Sequence, residues 1–160
     1  MKTALVFALA LTASNPGPQA TSPAAQMHHR GAQVMGFDQD KTAHHVCLYP
    51  DGGAIDVSVK DPADKTNLDA IRAHLPHIVT MFSDGNFEAP MLVHGTEVPG
   101  TPEMKKVKGA ITWKYEESAT GGRVQITTTN AEALKAVHAF LRYQITDHKT
   151  GDSLEITKRR

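Results

Sequence analysis

Nine histidines in 160 residues are the side chains with the widest chemical reach in this chain. Imidazole is neutral near pH 7, ligates transition metals and titrates closer to physiological pH than other unperturbed side chains. The composition therefore points to copper or zinc. No two of these histidines form a compact signature such as His-Glu-x-x-His on one helix, so any site must be assembled from separate elements.

Three donor sets follow from position. The first is His44, His74 and His138, joined by His94 or His148, as an imidazole-rich site between a sheet and its helices. The second is His45 with Cys47, two apart on a strand and so on one side of it, a thiol and imidazole pair suited to copper or zinc. The third is Met27-His28-His29 with Met35, thioether and imidazole donors in a leader. His74 and His77, three apart on a helix, can chelate together or border the core. Each inward histidine also has a purely structural role open to it, donating to a backbone carbonyl as a half-polar core residue.

Catalytic patterns are thinner. Asp147, His148 and Ser153 lie close in sequence, but neighbours on a helix do not face each other, so they are not a nucleophile triad. Asp38 and Asp40 suit a turn. Gly121-Gly122-Arg123 opens a strand and not a helix, which argues against a phosphate loop. The order of expectation is a metal-binding domain, then a metal-free interaction or stress-related module using the outer sheet face around His45, Tyr49 and Asp56, then an enzyme.

Seventeen basic and seventeen acidic residues cancel, so nothing in the global charge attracts nucleic acid. Lys2 followed by the apolar run 4–11 has the form of an export signal, too short to span a bilayer as a mature helix. No later stretch is apolar enough for a membrane span. The expected location is periplasmic or secreted, where a lone Cys47 has no internal disulfide partner. Residues 1–25 are read as the signal and the start of a flexible leader, 34–152 as a single α+β domain, and 153–160 as a basic tail.

The elements that must position the histidines are legible from periodicity. Alternation from Thr42 to Tyr49 and from Ala54 to Lys60 brackets Pro50-Asp51-Gly52-Gly53, a hairpin. With Asp51-Gly52 as its two-residue loop, Leu48 faces Ile55, Val46 faces Val57 and His44 faces Val59. Leu68, Ile71, Leu75, Ile78, Val79 and Phe82 form a helical stripe between Asp64 and Asp84, interrupted by Pro76. Residues 86–102 read as a loop carrying His94, with Met91-Leu92-Val93 as a short strand or plug.

The order then repeats. Ile111, Trp113 and Tyr115 alternate, residues 119–122 turn, and Val124, Ile126 and Thr128 alternate back. Asn130 caps a second helix with Leu134, Val137, Leu141 and Ile145 on one stripe, ending near His148. Along that helix His138 and His148 stand about 15 Å apart, too far to share one ion unless the helix ends early. A β-β-α-β-β-α chain buries its apolar faces most simply as a two-layer sandwich, a four-stranded antiparallel sheet with two helices on one face.

Met35-Gly36-Phe37-Asp38-Gln39-Asp40-Lys41-Thr42 with His44-His45, Pro50-Asp51-Gly52-Gly53-Ala54-Ile55, and Phe140-Leu141-Arg142-Tyr143-Gln144-Ile145 resemble a family of small exported bacterial proteins of uncharacterised function. The likeness covers about residues 34–152 and implies an exported domain. Some members carry the label aspartate carbamoyltransferase, which this chain does not support. It lacks the Ser-x-Arg-Thr segment of a carbamoyl-phosphate site and is far shorter than such an enzyme. The resemblance transfers no catalytic residue.

Overall fold

The computed structural model describes residues 22–159; the export-signal reading falls on residues that lie outside this range. Within it the order is α1 (Pro23–Met35), β1 (Thr42–Tyr49), β2 (Gly52–Val59), α2 (Lys65–Ser83), α3 (Glu88–His94), α4 (Thr101–Lys106), β3 (Thr112–Ser118), β4 (Gly121–Thr127) and α5 (Ala131–His148). A 3-10 turn at Lys108–Ala110 leads into β3. The α+β class and the repeated hairpin-then-helix order are as the periodicity predicts.

The four strands form one antiparallel sheet in the order β1-β2-β4-β3, so the two hairpins meet along β2 and β4. A Cβ at Gly53 would meet Leu141 of α5, and one at Gly122 would meet Tyr115 of β3 and then Leu75 of α2. Gly53 and Gly122 point to the same side of the sheet in the observed register, so both long helices cover that face. Between the layers lie Val46, Leu48, Ile71, Val124, Ile126, Val137, Phe140 and Leu141, all essentially buried. Among the described residues no helix is long and apolar enough to cross a membrane.

The first hairpin corrects the predicted register. Tyr49 pairs with Gly52, Leu48 with Gly53, Val46 with Ile55 and His44 with Val57, so the loop is Pro50-Asp51. The shift is two residues, which leaves every side chain on its expected face. Its cause lies across the sheet. Gly52 has φ 146° and would carry a Cβ only 2.1 Å from the Ile126 carbonyl, while a Cβ on Gly53 would lie 2.3 Å from Leu141. The two glycines are there for close approach to β4 and α5, not for the turn.

Three further expectations are corrected. Residues up to 33 do not all form an irregular leader: Ser22 accepts a hydrogen bond from the Ala25 N–H, and a helix runs to Gly36, whose φ of 75° ends it. That helix lies against α3, where Arg30 Nε donates to the Val93 carbonyl at 2.9 Å. Met91-Leu92-Val93 is neither strand nor plug but the middle of α3, with Met91 and Leu92 facing out. The C-terminal tail follows β1, where the Asp152 carboxylate accepts from Val46 N–H and the Thr157 N–H donates to Leu48 O. It thereby covers part of an otherwise open sheet edge.

Candidate functional site

Four of the nine histidines reach one cavity. His44 comes from β1, His74 from α2, His94 from the end of α3 and His148 from the end of α5, and all four line a cavity of about 90 Å³ whose remaining walls are mainly apolar. Val46, Val57, Leu75, Val93 and Phe140 supply much of that wall.

The rings form a continuous chain. His74 sits edge-on to Phe37 at 5.7 Å, Phe37 stacks on His44 at 5.9 Å, and His44 stacks on His148 at 5.8 Å with planes 17° apart. His148 meets His94 edge-on at 4.9 Å, and His94 meets Tyr143 at 5.1 Å. Burial, with His77 nearby, pushes the His74 imidazole down to about 4, so this ring is neutral at pH 7.

The last turns of α5 organise the far end. Gln144, Asp147 and His148 lie at i, i+3 and i+4 and so share a helix face. The His94 ring is 1% exposed, and its Nδ1–H donates to Asp147 Oδ2. The other ring nitrogen, Nε2, lies 3.2 Å from Gln144 Oε1. Burial and then the Asp147 carboxylate raise the Tyr143 phenol. Gln144 is 9% exposed, lines the cavity, and its Nε2 has no hydrogen-bond partner among the described residues. A buried amide left so is costly unless something else meets it.

The first predicted set is thus regrouped. His44 and His74 converge as expected and His94 and His148 join them, but His138 does not. Its Nε2–H is shared between the carbonyls of Tyr49, at 2.9 Å, and Gly52, at 3.0 Å, at the turn of the first hairpin. His138 is buried and ties α5 to the opposite end of β1 from His44, the role of a structural imidazole.

The second set does not form. His45, 59% exposed, is held at the sheet edge by Asp152, with Nδ1 3.1 Å from the carboxylate. Cys47 is a free, half-buried thiol, and burial followed by its hydrogen bond raises the Tyr49 phenol. The third set is dispersed too. Met27 is buried, His29 is exposed, the side chain of His28 lies outside the described part, and Met35 alone lines the cavity. His77 points to solvent while His74 points inward, so these two do not chelate together.

The outer-face residues are engaged within the chain as well. Arg123 grips Asp56 with two hydrogen bonds, 2.6 and 2.9 Å, and Arg159 lies over the Tyr49 ring at 4.9 Å. Sequence reasoning missed Gln144, Asp147 and Phe37 as parts of a site. The i, i+3, i+4 spacing of Gln144, Asp147 and His148 was the available signal, but it needed His94 opposite to give it meaning.

Among the described residues no three His, Cys, Asp or Glu side chains already point at one position where an ion would fit. The ring geometry explains this. Imidazole lone pairs lie in the ring plane, and the nearly parallel planes of His44 and His148 cannot both contain a common point between them. Set against known proteins, the chain matches no family model, no curated protein and no solved structure.

Proposed function

We propose that this is an exported metal-binding domain that takes up a copper or zinc ion through His44, His94 and His148, with His74 beside them. The carrying observation is the contact of three imidazoles from three separate elements, His44 with His148 at 5.8 Å and His148 with His94 at 4.9 Å, at one half-open cavity. Two imidazoles on a single tetrahedral ion have ring centres about 5 Å apart, given metal–nitrogen bonds near 2.0 Å. The two observed spacings lie near that value.

Magnitudes favour a turn of the rings onto an ion. An off-rotamer ring costs about 0.5 to 1.5 kcal/mol, whereas structural zinc in zinc-finger peptides contributes about 10 to 16 kcal/mol, so even a much weaker ion site would outweigh the cost of turning a ring. The Asp147–His94 hydrogen bond fits the same reading, since a carboxylate on Nδ1–H assigns Nε2 as the donor atom to a metal, and Gln144 Oε1, now 3.2 Å from Nε2, would have to turn aside. Volume argues against a larger ligand: about 90 Å³ holds a few water-sized atoms, while pockets for cofactors and drug-sized molecules run to several hundred.

Untagged protein, stripped with a chelator and titrated by calorimetry, tests this. One ion per chain should bind with Kd below about 1 μM, roughly 8 kcal/mol. His148→Gln, which removes the imidazole touching both others, should weaken it at least about 100-fold. Binding weaker than micromolar for both copper and zinc ends the proposal.

A further inference from the structure

We infer that two copies of this chain pair edge to edge through β3, antiparallel about Tyr115, so that their four-stranded sheets become one. This does not depend on the metal reading. The sheet has two edges, β1 and β3. At β1 the C-terminal tail meets the outward backbone, Asp152 at Val46 and Thr157 at Leu48. At β3, among the described residues, no hydrogen bond from outside the sheet reaches the backbone of Trp113, Tyr115 or Glu117. Those three residues carry the open row. Ser118 and Gly121 close a hairpin with Ala119-Thr120 as its loop, and the closing pair of a two-residue hairpin exchanges both its hydrogen bonds. Alternation then gives Thr112, Lys114 and Glu116 to β4 and turns the N–H and C=O of Trp113, Tyr115 and Glu117 outward. Their side chains do not shield the row. The buried Trp113 ring sits 5.0 Å from Phe82, the Tyr115 ring leans over Gly122, and Arg72 holds Glu117 at 3.1 Å.

Charge selects both the partner and the register. For outward groups to meet outward groups in an antiparallel pair, odd-numbered residues must oppose odd-numbered ones, so the longest overlaps are centred on Lys114, Tyr115 or Glu116. Centring on Lys114 sets it against the partner's Lys114, and centring on Glu116 sets it against the partner's Glu116. Like charges directly opposite are destabilising. Centring on Tyr115 instead places Lys114 opposite the partner's Glu116, and by symmetry Glu116 opposite the partner's Lys114. These are non-hydrogen-bonded positions, where cross-strand side chains come closest. Within one chain Lys114 and Glu116 already lie 3.0 Å apart on the outer face, so pairing completes an array of four alternating charges. Charges on a sheet edge discourage association when like signs meet; here self-pairing about Tyr115 brings opposite signs together.

The test uses the untagged full chain with a chelator present, so that bound metal plays no part. Sedimentation equilibrium should show the mass rising from one chain towards two, half-dimerised at roughly 100 μM, as suits a small interface. Lys114→Glu should weaken association at least about tenfold. Adding Glu116→Lys to that variant restores opposite charges across the pair and should recover the dimer, with urea midpoints showing that both variants fold. In the wild type, amide exchange should slow at Trp113, Tyr115 and Glu117 between about 20 μM and about 1 mM, while Lys114 and Glu116, already bonded to β4, change little. That readout needs no variant. A chain still monomeric at about 1 mM, a dimer in which the Trp113, Tyr115 and Glu117 amides stay fast, or association unchanged by Lys114→Glu overturns the inference and leaves the metal reading untouched.

Discussion

Replacing His138 with alanine removes an N–H that two buried carbonyls share, Tyr49 O at 2.9 Å and Gly52 O at 3.0 Å, and empties the volume of a ring that is 6% exposed. Stranding a buried acceptor costs about 1 to 3 kcal/mol, not doubled here because one proton serves both carbonyls. Losing the ring atoms adds a large-to-small term, and together about 3 to 5 kcal/mol is expected. That is a large part of the 5 to 15 kcal/mol stabilising an ordinary domain. At an m-value near 2 kcal/mol per molar, the urea midpoint should fall by about 2 M. His138→Gln retains N–H donors and much of the volume, and should recover more than half of the loss. Neither variant should alter the stabilisation gained from metal, about 2.7 kcal/mol at a free-ion concentration of 100 times Kd. An alanine variant within 1 kcal/mol of wild type would show that the N–H does not hold the hairpin, and a glutamine variant that loses the metal increment would make His138 a ligand.

Acid should destabilise the fold through His74. Its pKa of about 4 in the folded state lies below the ordinary 6.5, so the unfolded chain takes up a proton first, and stability falls as pH drops through 6.5 towards 4. About 2 kcal/mol should be lost between pH 7 and pH 5, and His74→Leu should flatten that part of the urea profile. Gly53→Ala would place a Cβ 2.3 Å from Leu141 and 2.4 Å from the Cys47 carbonyl, and should cost about 3 kcal/mol or more by thermal denaturation. Gly109→Ala, with nothing within 4 Å of its added carbon, should stay within about 0.5 kcal/mol of wild type. Mass spectrometry of protein recovered from cells should show the first ten residues or more removed, and an intact Met1 would contradict export.

By itself the sequence determined the local elements and their inward faces. Period-2 alternation marked both hairpins, period-3.6 stripes marked α2 and α5, and the caps at Asp64 and Asn130 stand where side-chain oxygens satisfy the first free N–H groups. These are short-range effects, settled within a turn or a strand pair. The helix α1 escaped detection because Gly31 in its span weakens propensity and the run of Pro and Gly before it reads as irregular, and the helix packs on α3. Tertiary structure alone decided the rest. The hairpin register depends on how closely Ile126 and Leu141 approach Gly52 and Gly53, which no local rule contains. His138 and His148 share a helix and a stripe, yet one is claimed by hairpin carbonyls and the other by His44 and His94, because ten residues of helix carry them to opposite ends of β1. Periodicity tells which side chains face inward; which distant element meets them is set by the packing of the whole chain, and the histidine cavity exists only at that level.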